Sequence, residues 1–321
     1  MNFALPRRTL ALTSGIAISL LVISCSSTEA PQDSGSDSGS DTHQVTTSLG
    51  TIDVPDSVES VVIIDGRRDL DIAVAFGLPI VGMPVEVEAP PEIPGPLTDA
   101  TSTLLADGVP ELFPRNTVDV ESIARVAPDL IIGRDEVVED IYDQLSAIAP
   151  VLPVGSTGSG VAWQDDVEAV GAALNLQDKA DEIIAEYDTR VAEVKRDNAD
   201  AIAGTVVLPI STSDEGGISV GRDRSPSIAL IDIGARFGSA WEAATPEVEY
   251  GPETITAAAD AAAIIAAITS EEDLRTMNAN ALWTSLPAVA NNRIVRTDKF
   301  TNDGGPLTAL WSLDLVEQLY A

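Results

Sequence analysis

Arginine residues lie at or near the ends of predicted strands in this chain. They are Arg67, Arg68, Arg134, Arg222 and Arg224. A guanidinium group presents its N–H donors in a planar fork, which suits the carboxylate or catecholate oxygens of an anionic ligand. Lys and Arg together make up only 18 of the 321 residues, so this placement predicts a ligand-binding role. The alternative for each arginine is an ion pair with one of the 51 Asp and Glu residues.

Aromatic residues occur in or near the same segments. They are Trp163, Trp241, Tyr250, Phe300 and Trp311. Indole and phenol rings cover the organic part of a ligand, and we therefore add Trp163, Trp241 and Tyr250 to the candidate site. Packing in the core is the alternative for each, and helical spacing with Leu307 favours it for Trp311.

The chain contains one histidine, His43, and one cysteine, Cys25. We place both outside the folded body, which excludes thiolate or imidazole metal sites, a Cys nucleophile, a Ser-His-Asp triad and a haem with an axial His. The formal net charge of −33 argues against nucleic acid as a partner. We expect no metal bound by protein atoms, no resident cofactor and no enzymatic activity. Hydrolysis by paired carboxylates is the alternative from another class.

The N-terminal segment has the features of a bacterial export signal. Arg7 and Arg8 precede the apolar stretch 10–23, which is short of the roughly 20 residues that a membrane-spanning helix needs. Ser24 then stands directly before Cys25. This pattern resembles a lipobox, which implies cleavage after residue 24 and a diacylglycerol on the Cys25 thiol. We therefore expect a lipid-anchored protein on the extracytoplasmic face of the cell membrane, at a cell surface or in a periplasm.

The remaining chain predicts a tether and two lobes. Residues 25–43 are rich in Ser, Gly and Asp and predict a disordered polar tether. Short apolar runs then alternate with helical periodicity in residues 44–162 and again in 199–321, which predicts two β/α lobes of Rossmann-like type with mainly parallel sheets. Between them, residues 163–198 predict one long linking helix, with Asn175 as the point where it would break.

This organisation resembles the substrate-binding lipoproteins of ABC transporters that carry ferric siderophores and cobalamin, in the class whose lobes are joined by a rigid helix. Four segments carry the resemblance: VDVESIARVAPDLII (118–132), YDQLSAIAPVLPV (142–154), LPAVANNRIV (286–295) and GGPLTALWSLDLVEQL (304–319). The resemblance implies a monomer that captures an Fe(III)-siderophore complex between its lobes and delivers it to a permease and its ATPase. Cobalamin or haem is the alternative ligand.

The resemblance also implies a role for two glutamates. Glu121 matches the family's glutamate before the A-P-D-L-I sequence, and Glu253 occupies the analogous place in the second lobe. In the family such residues dock onto arginines of the permease. A carboxylate in the first turn of a helix also interacts favourably with the helix dipole, and the two roles are compatible.

Overall fold

A computed structural model of the chain describes residues 41–86, 92–155, 163–213 and 216–321. The predicted signal peptide, the predicted lipidation residue Cys25 and nearly all of the predicted tether lie outside these residues.

The described chain begins with an antiparallel hairpin of β1 (Thr42–Thr47) and β2 (Gly50–Pro55). His43 belongs to β1, and its Nε2 donates to the carbonyl oxygen of Ala173 at 3.0 Å. The prediction that the tether extends to residue 43, and that the folded body lacks histidine, is therefore wrong. Most of β1 is polar and only partly buried, so its sequence offers no apolar run by which a strand is recognised.

The first lobe is a parallel sheet with strand order β5-β4-β3-β6-β7 in the described chain. Its strands are β3 (Val61–Ile63), β4 (Ile80–Val85), β5 (Glu111–Pro114), β6 (Leu130–Arg134) and β7 (Val151–Val154). Its helices are α1 (Arg68–Phe76), α2 (Pro96–Ala106), α3 (Val120–Val126), α4 (Asp135–Val138) and α5 (Tyr142–Ser146). Val61 and Ile63 pack into one apolar cluster and Val62 into another. Both faces of the sheet are thus covered, as parallel sheets require.

The linking segment consists of helices α6 (Trp163–Ala173), α7 (Gln177–Asp197) and α8 (Ala199–Gly204). The single helix predicted over 163–198 is therefore interrupted, and the interruption falls at Asn175, whose φ of 56° is left-handed. A Cβ on Gly171 would lie 2.7 Å from Ala180 Cβ, so the glycine lets α7 pack closely against α6. Helix α7 alone spans about 30 Å at 1.5 Å per residue.

The second lobe contains a mixed sheet with main strand order β11-β9-β8-β12-β13 among the described residues. Its strands are β8 (Val206–Thr212), β9 (Ile218–Gly221), β10 (Arg236–Phe237), β11 (Glu247–Tyr250), β12 (Ala263–Ala267) and β13 (Ile294–Thr297). Its helices are α9 (Ser225–Asp232), α10 (Ser239–Ala243), α11 (Glu271–Ala279), α12 (Ala281–Thr284), α13 (Pro287–Ala290) and α14 (Pro306–Tyr320). Strand β9 is antiparallel to both β8 and β11. The sequence predicted a mainly parallel sheet and gave no sign of these antiparallel pairs.

One apolar core runs through both lobes. It includes Ile63 of the first sheet, Tyr187 of α7, Leu313 of α14 and Ile265 of the second sheet. A second link is polar, because the buried Asp71 of α1 accepts hydrogen bonds from the start of α14. The lobes are therefore joined by a shared apolar core and by these hydrogen bonds, as well as by the linking helices.

Candidate functional site

A cavity of about 350 Å³ lies between the lobes, within the usual volume range of small-molecule sites. It is found at the carboxyl ends of β3, β4 and β13, which is where open α/β sheets bind ligands. Its apolar lining includes Leu70, Met83, Val85, Ile93, Leu97 and Phe300. Hydroxyl groups come from Thr98, Thr101, Ser102, Thr301 and Thr308. The charged lining residues are Asp65, Arg67, Glu86, Glu111, Arg115 and Asp298.

Arg67 is the predicted arginine that lines this cavity. It follows β3 and precedes α1, and its guanidinium carbon lies 4.1 Å from the ring centroid of Phe300 in the second lobe. Its Nη2 also donates to Glu86 Oε2 at 2.6 Å. The cation–π contact joins the two lobes directly across the cavity. Arg67 thus lies at the cavity, and its predicted role in binding stays a prediction. Its partner Phe300 was one of several aromatic residues that the sequence does not distinguish.

Arg115 also lines the cavity and was not predicted. Its Nε donates to the backbone oxygen of Asp65 at 2.9 Å, and its Nη2 lies 3.0 Å from Asp65 Oδ1. Arg115 directly follows β5, a strand of four residues of which two are exposed. The segment therefore lacks the apolar run that revealed the other strand ends.

Arg68 and Arg134 are absent from the cavity lining and form ion pairs instead. Asp303 of the second lobe contacts both, with Oδ1 at 3.0 Å from Arg68 Nη2 and Oδ2 at 2.8 Å from Arg134 Nη1. Arg68 also pairs with Asp166, and Arg134 also pairs with Glu136. For these two arginines the structure therefore matches the alternative given above, an ion pair with acidic residues. Through Asp303 they connect the two lobes beside the cavity.

The loop that carries Arg67 is held by the buried carboxylate of Asp69. Asp69 Oδ2 accepts from the backbone N–H groups of Ile64 and Asp65, and Oδ1 accepts from those of Arg67 and Leu70. Four donors on one carboxylate fix the turn between β3 and α1. The direction of the Arg67 side chain therefore depends on Asp69, which itself is enclosed by protein.

Two carboxylates in the cavity lining are buried. Burial raises the pKa of Asp65 above its usual value, and the nearby guanidinium groups of Arg115 and Arg134 offset part of this rise. Burial likewise raises the pKa of Asp298. Asp298 Oδ1 accepts from the backbone N–H of Phe300, whereas its Oδ2 has no hydrogen-bond partner among the described residues.

The predicted residues of the second lobe do not line the cavity. Arg222 donates to the backbone oxygen of Trp241 and lies 5.0 Å from its ring. Arg224 bonds Ser219 and Glu247. These two arginines follow β9, and because β9 is antiparallel its carboxyl end points away from the edge where β8 and β12 end.

The predicted aromatic residues are also placed elsewhere. Trp241 is 4% exposed and stacks on Phe237 in the core of the second lobe, and Tyr250 lies in the edge strand β11. Trp163 is 3% exposed and packs edge-on against Tyr187, with ring centroids 5.2 Å apart. The core-packing alternative thus describes both tryptophans, and we leave all three aromatics out of the proposed site.

Glu121 and Glu253 are both exposed. Glu121 lies in the first turn of α3, which is capped by Asp119. Glu253 lies in the turn between β11 and a 3-10 turn at Ile255–Ala258. Their exposure leaves both side chains accessible to a partner, and docking stays a prediction.

Two further features bear on the class of protein. In the described ranges, no group of three or more His, Cys, Asp and Glu side chains is arranged to hold a metal ion. None of the helices described here combines the length and the apolar character needed to cross a membrane.

The family model for periplasmic binding proteins matches residues 69–300. This match covers most of the chain, and the chain belongs to the periplasmic binding protein family. The family resemblance inferred from the sequence is thereby confirmed.

Sequence relatives include two Bacillus subtilis proteins. The probable siderophore-binding lipoprotein YfiY is 31% identical over 216 residues, which cover 67% of this chain and 63% of the relative, just under two thirds of its length. The Fe(3+)-citrate-binding protein YfmC is 23% identical, with 92% of this chain and 90% of the relative covered.

The fold is shared with solved structures. Staphylococcus aureus SirA, crystallised with staphyloferrin B, superposes with a TM-score of 0.68 at 20% identity, covering 86% of this chain and 98% of SirA. The petrobactin-binding protein YclQ of B. subtilis gives the same TM-score, also at 20% identity, over 87% of this chain and 99% of YclQ. The predicted α/β fold with two lobes is therefore confirmed.

Proposed function

We propose that this chain is the extracytoplasmic substrate-binding lipoprotein of an ABC transporter and captures a ferric siderophore in the cavity between its lobes. The observation that carries the proposal is the cavity itself, which residues of both lobes line and where Arg67 contacts Phe300. Family membership supports a transport role, and the relatives named above include siderophore- and ferric-citrate-binding proteins. In this proposal the oxygens of the siderophore are the ligands of the iron.

The lining of the cavity supports a siderophore over the alternative ligands. Phe300 is the one aromatic residue among the described lining residues, and no histidine is present there. A haem or a cobalamin presents a wide flat macrocycle and calls for more aromatic surface. A siderophore presents amide, hydroxyl and aliphatic groups, which match the hydroxyl and aliphatic side chains of this cavity.

The carboxylates of the cavity bear on the hydrolase alternative, which requires a carboxyl group with a raised pKa. Asp65 and Asp298 have raised pKa values because they are buried. Asp65, however, is bonded to Arg115 through both its side chain and its backbone oxygen. These contacts fix the position of Arg115 and occupy the carboxylate that a hydrolase would use. The proposal therefore contains no catalytic step.

The remaining parts of the proposal concern the membrane and the transporter. Lipidation of Cys25 would hold the mature chain on the extracytoplasmic face of the membrane. The chain would act as a monomer and deliver the loaded siderophore to a permease with its ATPase. Glu121 and Glu253, one exposed carboxylate in each lobe, would contact arginines of that permease.

The first test is a binding titration of the purified chain in mild detergent with ferric and iron-free siderophores of the hydroxamate, catecholate and carboxylate classes. Haemin and cobalamin serve as comparison ligands, and tryptophan fluorescence and calorimetry report binding. We expect saturable binding of one ferric class at submicromolar concentration. Arg67→Ala should weaken it about tenfold, since it removes a side chain that lines the cavity and packs on Phe300 across it.

The matched control is Arg125→Ala, because Arg125 is an exposed arginine on α3. Its affinity should equal that of the unaltered chain. Tight binding of haemin or cobalamin without any ferric siderophore would overturn the assignment, and so would an Arg67→Ala affinity equal to that of the control.

The docking role predicts a separation between binding and uptake. The double variant Glu121→Ala and Glu253→Ala should bind the ferric siderophore with unchanged affinity, because both side chains lie outside the cavity lining. Uptake of radioactive iron by cells that express this variant with the cognate permease should fall at least about tenfold, a loss of the size found when charge pairs at an interface are removed. Exposed acids such as Glu168 and Glu186 give a control double variant, and equal uptake by the two would contradict the docking role.

A further inference from the structure

The arginines alone suggested a positively charged cavity, but the lining carries more acidic than basic side chains. The arginines in the lining are Arg67 and Arg115, while the carboxylates are Asp65, Glu86, Glu111 and Asp298. Carboxylates therefore outnumber guanidinium groups by two among the described lining residues. The sequence suggested an anionic ligand because the arginines stood out among few basic residues, whereas any one acidic residue is inconspicuous in so acidic a chain.

Both lining arginines are already engaged with acidic partners. Arg115 is bonded to Asp65, and Arg67 is bonded to Glu86 and packed on Phe300. An anionic ligand that recruited these guanidinium groups would have to displace carboxylates held at hydrogen-bond distance. An anionic ligand that recruited Arg68 or Arg134 would likewise have to displace Asp303, with which both arginines are paired.

Asp298 is one of the lining carboxylates that form no ion pair with an arginine or lysine among the described residues. The residue is 0% exposed, and its Oδ2 has no hydrogen-bond partner in the part of the chain that the structure describes. Burial raises its pKa, and the charges of Lys299, Arg67 and Arg296 offset only part of that rise. A buried carboxylate in this state is stabilised by positive charge nearby. Glu111 lines the same cavity, is exposed, and likewise forms no ion pair within the described part of the chain.

We infer that the cavity selects a ferric chelate that is neutral or positively charged, namely a trihydroxamate with a free ammonium group. This inference rests on the proposed function and specifies its ligand class. Three hydroxamates neutralise Fe(III), so such a chelate carries only the charge of its ammonium group. That group would contact the exposed carboxylate of Glu111 and would lie in the field of the buried Asp298, and the aliphatic spacers would contact Leu70, Ile93 and Leu97. A ferric triscatecholate is trianionic and would meet the excess of carboxylates.

The test compares two linear ferric trihydroxamates that differ only at one end, the first with a terminal primary amine and the second with that amine acetylated. Titration of the purified chain in low salt should show about tenfold tighter binding of the amine form, as expected for one charge-assisted contact. The ferric triscatecholate should bind more weakly than either. High salt should reduce the preference for the amine at the exposed Glu111.

Two variants locate the preference. Asp298→Asn keeps the Oδ1 acceptor for Phe300 and removes the charge, and Glu111→Gln alters an exposed side chain without threat to folding. In the combined variant the two trihydroxamates should bind equally. Asp53→Asn, at an exposed strand position, should retain the tenfold preference.

The outcomes separate the inference from the function on which it rests. Equal affinity of the two trihydroxamates for the unaltered chain, or tightest binding of the triscatecholate, overturns the ligand class and leaves siderophore binding in place. A preference for the amine that survives in the combined variant overturns the assignment to Asp298 and Glu111. Failure of every ferric chelate to bind overturns the proposed function itself.

Discussion

Replacement of Asp71 by alanine should lower the free energy of unfolding by about 3 kcal/mol. Asp71 is fully buried in α1, and its carboxylate accepts from the backbone N–H of Leu307 at 2.8 Å and from the N–H and Oγ1 of Thr308 at 3.1 and 2.6 Å. The alanine variant leaves these donors at the start of α14 enclosed without an acceptor. Urea unfolding followed by circular dichroism at neutral pH measures the loss.

Two comparisons distinguish this role from a general effect of removing a carboxylate. Asp71→Asn keeps one acceptor oxygen and should lose less stability than the alanine variant. Asp53→Ala removes an exposed carboxylate and should stay within about 0.5 kcal/mol of the unaltered chain. A loss below about 1 kcal/mol for Asp71→Ala would show that water or other groups satisfy the start of α14.

The second large effect is a dependence of stability on pH that originates at Asp69. Burial, together with repulsion by the neighbouring Asp65 carboxylate, raises the pKa of Asp69 from 3.8 to about 6, despite its four N–H donors. Below pH 3.8 the group is protonated in the folded and unfolded states alike. Between pH 3.8 and about 6 the folded state retains a proton that the unfolded state has lost, so the free energy of unfolding decreases as the pH rises.

The size of this decrease follows from the shift. At 1.36 kcal/mol per pH unit, it amounts to about 3 kcal/mol across the window and then remains constant above it. Unfolding free energies of the unaltered chain and of Asp69→Asn, measured at intervals from pH 3.5 to 7, should therefore converge as the pH rises, since the asparagine does not titrate. Asp53→Asn should give a curve parallel to that of the unaltered chain. Parallel curves for Asp69→Asn would mean that the pKa of Asp69 is the same in the folded and unfolded states.

The sequence predicted the fold largely through apolar runs. β3, β4, β6 and β7 are buried and rich in Val, Ile and Leu, and helical spacing between them is enough to predict a β/α lobe. The same rule failed for β1, which is mostly polar, and for β5, which is only four residues long; half of the residues in each strand are exposed. Apolar runs also do not show whether a strand is parallel or antiparallel to its neighbours. The antiparallel pairing of β9 with β8 and β11 was therefore not predicted.

The site was less predictable because it depends on tertiary burial. Arg67 was proposed from its place after a strand, but the sequence does not distinguish it from the next residue, Arg68. In the structure Arg68 forms ion pairs with Asp166 and Asp303. Asp69 and Asp71 look like exposed residues on an amphipathic helix, yet both are fully buried. In a chain with 51 acidic residues, only the packing shows which carboxylates organise the structure.

Under the proposed function, the apolar core shared by the two lobes has a consequence for delivery to the permease. A body packed through α7 and α14 resists large hinge motion, so empty and loaded molecules present almost the same outer surface. A permease that recognises this surface would encounter empty molecules as competitors of loaded ones. The rate of iron entry would then depend on the fraction of binding protein that is loaded, and surplus protein at low ligand supply would slow uptake.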